Sequence, residues 1–256
     1  MLFNIENTEK YKKISLFGLK INIKRKPTIN NICVINKRLN EIEDNMKVIN
    51  EILNLENKIV FTKIYKTNYW GSKESFSGQG SELKSTETLR NKLIDIVKNY
   101  NIKSILDIPC GDFNWMKEIV NNFESYMGCD IVSEIVEANN NKYSNENIKF
   151  KVLNICSDKL DKVDLIFTRD CWQHLPLDYV IKSINNIKNS GSKYLIASSM
   201  PYIEDNLTND INLGDCRYLN LEKPPFNFPK PILMIKEDYQ YTAPDKYMGV
   251  WWIKDL

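Results

Sequence analysis

The chain is poor in several things at once. It has one histidine, nine glycines, six cysteines in no C-x-x-C pair, and a net charge of only +2 over 256 residues. A single histidine, His174, leaves one imidazole for acid–base chemistry. The near-neutral charge provides no electrostatic footprint for nucleic acid. Cys33, Cys110, Cys129, Cys156, Cys171 and Cys216 have no metal-ligand spacing, so no metal is expected, and unpaired thiols point to a reducing, cytoplasmic setting. No apolar run is long enough to span a bilayer, and no signal-peptide pattern is expected. A loop rich in glycine and serine (69–81) lacks both a preceding strand and a Gly-Lys-Ser/Thr ending, which excludes an ATP cradle. The abundance of Lys, Asn and Ile reflects an AT-rich gene and carries no functional weight.

What is present centres on residues 102–120. An apolar strand, Ile102 to Leu106, ends in Asp107, turns through Pro109, Cys110 and Gly111 to Asp112, and leads into a helix expected from Asn114 or Trp115 to Val120. A strand, a tight turn and a helix start build a ligand crevice at the carboxyl edge of an α/β sheet. Carboxylates at Asp107 and Asp112 would repel a pyrophosphate and welcome the ammonium and sulfonium of S-adenosylmethionine. A second strand (Ser125 to Asp130) again ends in a carboxylate, suited to both hydroxyls of an adenosine ribose. A third, Phe150 to Ile155, places Asn154 to bond an adenine edge. A fourth runs from Val163 to Asp170, and a fifth from Lys193 to Ser199; Ile232–Lys236 and Tyr247–Ile253 close the sheet as a hairpin, with Trp251 and Trp252 on opposite faces. Each acid alone is as readily a turn former or helix cap.

The order Leu-Asp-Ile-Pro-Cys-Gly-Asp, Gly-Cys-Asp, Asn-Ile and Phe-Thr-Arg-Asp resembles motifs I to IV of class I S-adenosylmethionine-dependent methyltransferases, over roughly residues 60–256. The resemblance implies an α/β fold with a Rossmann-like seven-stranded sheet and helices on both faces. It also implies Asp107, Gly111 and Asp112 around the methionine part, Asp130 and Ile131 on the ribose, and Asn154 with Ile155 on the adenine. Pro109 and Arg169, within motifs I and IV, join the cofactor set. The first motif departs from the usual glycine-rich form.

Around this core, residues 1–27 read as a basic β-hairpin turning at Gly18, and 28–58 as an amphipathic helix with a heptad seam of Ile32, Ile35, Leu39, Ile42, Met46, Ile49 and Leu53. The methyltransferase domain occupies 59–256. The seam packs either on its own domain or on a second copy, which makes a homodimer an expectation. Trp70 and Ser81 bracket the glycine- and serine-rich loop, read as a lid over the methionine carboxylate or the acceptor; an ordinary surface loop is the alternative. His174 and Asp170 are the catalytic candidates: His174 as general base or as a packing residue, Asp170 as its orienter or an acceptor ligand. Trp172 is expected to wall the pocket. Arg217 is expected to read an acceptor anion, or else to pair with Asp215 or Asp210.

The Leu-Phe-Gly-Leu-Lys-Ile leader and the Pro-Pro-Phe-Asn-Phe-Pro segment are similar to those of bacterial capsule and surface-glycan methyltransferases, especially of Campylobacter-like bacteria. That resemblance implies a small-molecule acceptor, either a nucleotide-linked phosphoramidate or a sugar hydroxyl. An RNA or protein methyltransferase, and a scaffold without activity, are the alternatives.

Overall fold

The computed structural model describes residues 3–7, 11–16, 19–24, 29–207, 210–237 and 245–256. The chain separates into two compact units, residues 1–53 and 54–256. In the first, β1 (Phe3–Asn7), β2 (Tyr11–Leu16) and β3 (Leu19–Lys24) form an antiparallel three-stranded sheet, so the expected two-stranded hairpin gains a further strand. Phe3-Asn4-Ile5-Glu6 alternates apolar and polar with period two, which suits it to pair along β2, with Ile5 opposite Ile14 and Ile14 opposite Ile21. The turn expected at Gly18 lies outside the described residues.

Helix α1 runs Ile29–Lys66, well past residue 58. Of its seam, Ile35, Leu39 and Ile42 are half-buried, and the side chains of Ile32, Met46, Ile49 and Leu53 lie outside the described residues.

The second unit is built on a mixed seven-stranded sheet. Its strands are β4 (Ser104–Asp107), β5 (Ser125–Asp130), β6 (Ile148–Val152), β7 (Leu165–Thr168), β8 (Tyr194–Ser198), β9 (Leu233–Glu237) and β10 (Lys246–Trp252). The order is β6-β5-β4-β7-β8-β10-β9, parallel except for β10, which runs antiparallel to both neighbours. Strands β7 and β8 read as continuous apolar runs because they are buried along almost their whole length. Trp251 is buried and donates its indole N–H to the Pro229 carbonyl at 2.8 Å, whereas Trp252 packs on Tyr194 with ring centroids 4.3 Å apart. Period-two alternation sends these adjacent tryptophans to opposite faces.

Helices α2 (Glu87–Asn99), α3 (Ser133–Tyr143) and α4 (Leu177–Asn189) join the strands. The helix expected after β4 is absent. Met116–Glu118 and Val120–Asn122 form two single 3₁₀ turns instead. Phe113 takes a left-handed φ of 59°, and the Asn114 amide is drawn away to Glu74 Oε1 (2.7 Å) and the Ser81 carbonyl (3.1 Å). Tertiary hydrogen bonds thus outweigh a weak local helix preference. The chain moves outward through β4, β5 and β6 to one edge, then returns to β7 beside β4. That reversal opens a crevice at the carboxyl ends of β4 and β7.

Candidate active site

A cavity of about 310 Å³ occupies this crevice, at the lower end of the range for small-molecule sites. Its floor is the turn after β4, laced to both neighbours by Ile108 N–H to the Phe167 carbonyl (2.9 Å) and Cys110 N–H to the Cys129 carbonyl (2.8 Å). Of the residues picked out in the sequence, it brings together Trp70, Ser81, Asp107, Pro109, Gly111, Asp130, Ile131, Asn154, Ile155, Arg169, Asp170 and His174. Asp112, Trp172 and Arg217 do not line it.

Asp107, 3% exposed, accepts a 2.6 Å hydrogen bond from the Tyr126 hydroxyl. Burial pushes its carboxyl up to about 7, against the opposing pull of Tyr126. Asp130 accepts from the main-chain N–H groups of Val132 (2.9 Å) and Gly111 (3.2 Å); burial still raises it to about 6. Two buried carboxyls thus line one cavity.

Asp112 has a different task from the one its motif position implies. Its carboxylate accepts from Ser75 Oγ (2.9 Å), Phe76 N–H (2.8 Å) and Ser77 Oγ (3.2 Å), and so clasps the glycine- and serine-rich loop. Gly111 serves the same contact. Its φ is +54°, and a Cβ there would lie 2.1 Å from Ser77 Oγ. Gly111→Ala is expected to cost about 1–3 kcal/mol through strain and clash, read as a lower urea midpoint. A Ser77→Gly change in the same chain should recover the part owed to the clash, and an unaltered midpoint for Gly111→Ala would refute this contact.

At the other end, Trp70 stacks on His174 with centroids 5.2 Å apart. His174 Nδ1 lies 2.8 Å from the Asp215 carbonyl oxygen. A carbonyl only accepts, so Nδ1 carries the proton and Nε2 keeps its lone pair, 3.3 Å from the Gln173 amide nitrogen. Burial lowers the imidazole below its ordinary value and favours the neutral form. The orienter is therefore a main-chain carbonyl and not Asp170.

Asp170, at a φ of +52°, is held by Lys246 (2.6 Å) and Arg169 (3.3 Å). Burial alone would raise its carboxyl, but these two cations overcome that and keep it ionised well below the usual range. Arg169, assigned to the cofactor by motif position, is a structural hub. It forms a forked pair with Glu237 (2.6 Å at the shortest) and donates to the Gly80 carbonyl at 2.9 Å.

Trp172 is buried and does not wall the cavity as expected. Arg217 turns away to pair with Asp210 (3.1 Å) and the Leu175 carbonyl (2.8 Å), as the structural alternative anticipated. Its backbone N–H bonds the Gln173 carbonyl, and Gly214 N–H the His174 carbonyl, both at 2.9 Å. These bonds strap residues 210–217 across the histidine segment and deliver the Asp215 carbonyl to Nδ1. The Asn154 side chain is already engaged, its amide N–H with Asn54 Oδ1 (2.7 Å) and its oxygen with Cys156 N–H (2.9 Å).

Sequence reasoning missed Tyr126, Lys246, Glu237 and the end of α1, where Asn57, Phe61 and Tyr65 line the cavity. Continuing the helical period beyond residue 58 would have found the last group; nothing local marks the others. Among the described residues, no cluster of three or more His, Cys, Asp or Glu is arranged to hold a metal ion, and no helix is long and apolar enough to cross a membrane.

The sequence matches no protein-family model and no curated protein. Solved structures share the architecture. The N-methyltransferase NodS from Bradyrhizobium japonicum WM9, in complex with S-adenosyl-L-homocysteine, superposes with a TM-score of 0.54 at 10% identity, over 74% of this chain and 97% of that one. Magnesium protoporphyrin IX methyltransferase (ChlM) from Synechocystis PCC 6803, with bound S-adenosyl-L-homocysteine, gives 0.54 at 12% identity, over 78% and 98%. The fold is that of a class I methyltransferase. Identity this low carries the methyltransferase fold and nothing about its acceptor.

Proposed function

We propose that the chain is an S-adenosylmethionine-dependent O-methyltransferase acting on a small molecule that presents a hydroxyl group. The observation that carries this reading is the pair of buried carboxylates, Asp107 and Asp130, lining one cavity at the reversal of strand order. The two basic side chains that also line it, Arg169 and Lys246, are matched by Glu237 and Asp170. A pyrophosphate would therefore meet no uncompensated positive charge there, whereas the ammonium and sulfonium of a methionine part would meet Asp107 and ribose hydroxyls would meet Asp130.

Bound S-adenosylmethionine supplies a methyl group on a sulfonium, open to in-line displacement by an acceptor oxygen. Asp107 would face its methionine part and Asp130 its ribose. His174 Nε2 would take the acceptor proton as the oxygen attacks, with the Asp215 carbonyl stabilising the imidazolium through Nδ1–H. Asp170 Oδ1 is buried without a hydrogen-bond partner and would orient that hydroxyl. Trp70 would close over the acceptor. Of the two acceptors suggested by sequence resemblance, the sugar hydroxyl fits better, because Arg217 lies outside the cavity and a phosphoramidate loses its reader. A role in capsule or surface-glycan synthesis rests on the leader and the Pro-Pro-Phe-Asn-Phe-Pro resemblance.

The test is calorimetry with S-adenosylmethionine, followed by methyl-transfer assays on sugar precursors with mass detection. A cationic ligand prefers ionised carboxylates, and in the free protein Asp107 and Asp130 ionise only near 7 and 6. Affinity should therefore rise with pH from 5.5 to 7.5, by up to about tenfold per pH unit for each proton released, and level off above that. Heat without pH dependence would detach the acids from the ligand. No heat at all would favour a scaffold.

A further inference from the structure

Beyond residue 53, α1 presents Asn54, Asn57, Phe61 and Tyr65 along one face, at helical spacing. Asn54 Oδ1 accepts from Asn154 (2.7 Å) and from Ser157 Oγ (3.1 Å), which fixes this end of the face to the turn after β6. Tyr65, with its ring centroid 5.2 Å from that of Phe76, fixes the other end to the loop. Asn57 lies between, lines the cavity, and is 2% exposed. Its Oδ1 is buried and has no hydrogen-bond partner. A buried acceptor left unpaired is costly, and this one belongs to a residue that lines the cavity.

Resting on the cofactor reading above, we propose that Asn57 reads the adenine 6-amino group of S-adenosylmethionine. Asn154, the residue its motif position assigns to the adenine, has both ends of its amide engaged and serves to hold Asn54. Asn57 stands one helical turn further along the same face, and its free oxygen complements an exocyclic N–H donor. A carboxamide matches an adenine edge, as it does when asparagine reads adenine in DNA. The cofactor is thus read by the helix that precedes the methyltransferase core as well as by the strand tips.

The experiment is calorimetry on the full chain with two ligands: S-adenosylhomocysteine and its analogue with hydrogen in place of the 6-amino group. The wild type should prefer the amino ligand about tenfold, the worth of one neutral hydrogen bond. Asn57→Leu should abolish that preference by weakening S-adenosylhomocysteine alone. Asn57→Asp, which keeps an acceptor of the same shape, should retain it and guards against a misfolded leucine variant. Equal weakening of both ligands, or no change in either, overturns the assignment. A wild type that binds neither ligand overturns the cofactor reading itself, whereas one that binds both equally overturns only the role of Asn57.

Discussion

Alanine at position 174 should lower kcat about a hundredfold or more on a hydroxyl acceptor, with a much smaller change in the affinity for S-adenosylhomocysteine. A sugar hydroxyl is too weakly acidic to attack unaided near neutral pH, and His174 is the only imidazole in the chain. The Asp215 carbonyl holds its proton on Nδ1, so Nε2 is the basic atom. Burial lowers the imidazole pKa, so the base stays unprotonated, and turnover persists, to a lower pH than an exposed histidine would allow. The kcat–pH profile should show this acidic limb in the wild type and lose it in the alanine variant. Near-normal turnover in His174→Ala would mean that the acceptor oxygen arrives already ionised, and the phosphoramidate would then return as the better substrate.

Glu237→Ala should cost about 3–5 kcal/mol of stability, the usual consequence of stranding one member of a buried ion pair. Glu237 is 2% exposed and meets Arg169 through three contacts between 2.6 and 3.2 Å. Its loss would remove the bidentate acid from a buried guanidinium that also pairs with Asp170, and Asp170 also answers Lys246. Because Arg169 also bonds the Gly80 carbonyl, the loop over the cavity should loosen, and S-adenosylhomocysteine should bind more weakly. Glu237→Gln, which keeps an acceptor but not the charge, should lose less. Urea unfolding checks the first claim and calorimetry the second; a Glu237→Ala midpoint equal to the wild type would remove the hub from the account.

The strands were readable because each is a short apolar run ending in a turn, and that pattern depends only on chain neighbours. Asp107 and Asp130 were readable for the same reason: each ends a strand, and strand ends of a parallel sheet gather at one crevice. The helix after β4 failed as a local reading because Glu74 and Ser81, distant in sequence, claim the Asn114 amide. Arg217 and Asp112 failed at the level of direction. Their neighbourhoods were right, but a sequence does not say whether a charged side chain turns toward a ligand or toward another segment of its own chain.

By itself, then, the sequence determined the α/β class, the strand-end acids and the lone histidine available as a base, all of which follow from composition and short-range periodicity. Tertiary structure alone decided that Arg169 is spent on Glu237, that a backbone carbonyl sets the tautomer of His174, and that the end of α1 forms a wall of the cavity. Those outcomes join residues dozens of positions apart. They arise because a buried polar group must find a partner wherever the fold brings one within reach.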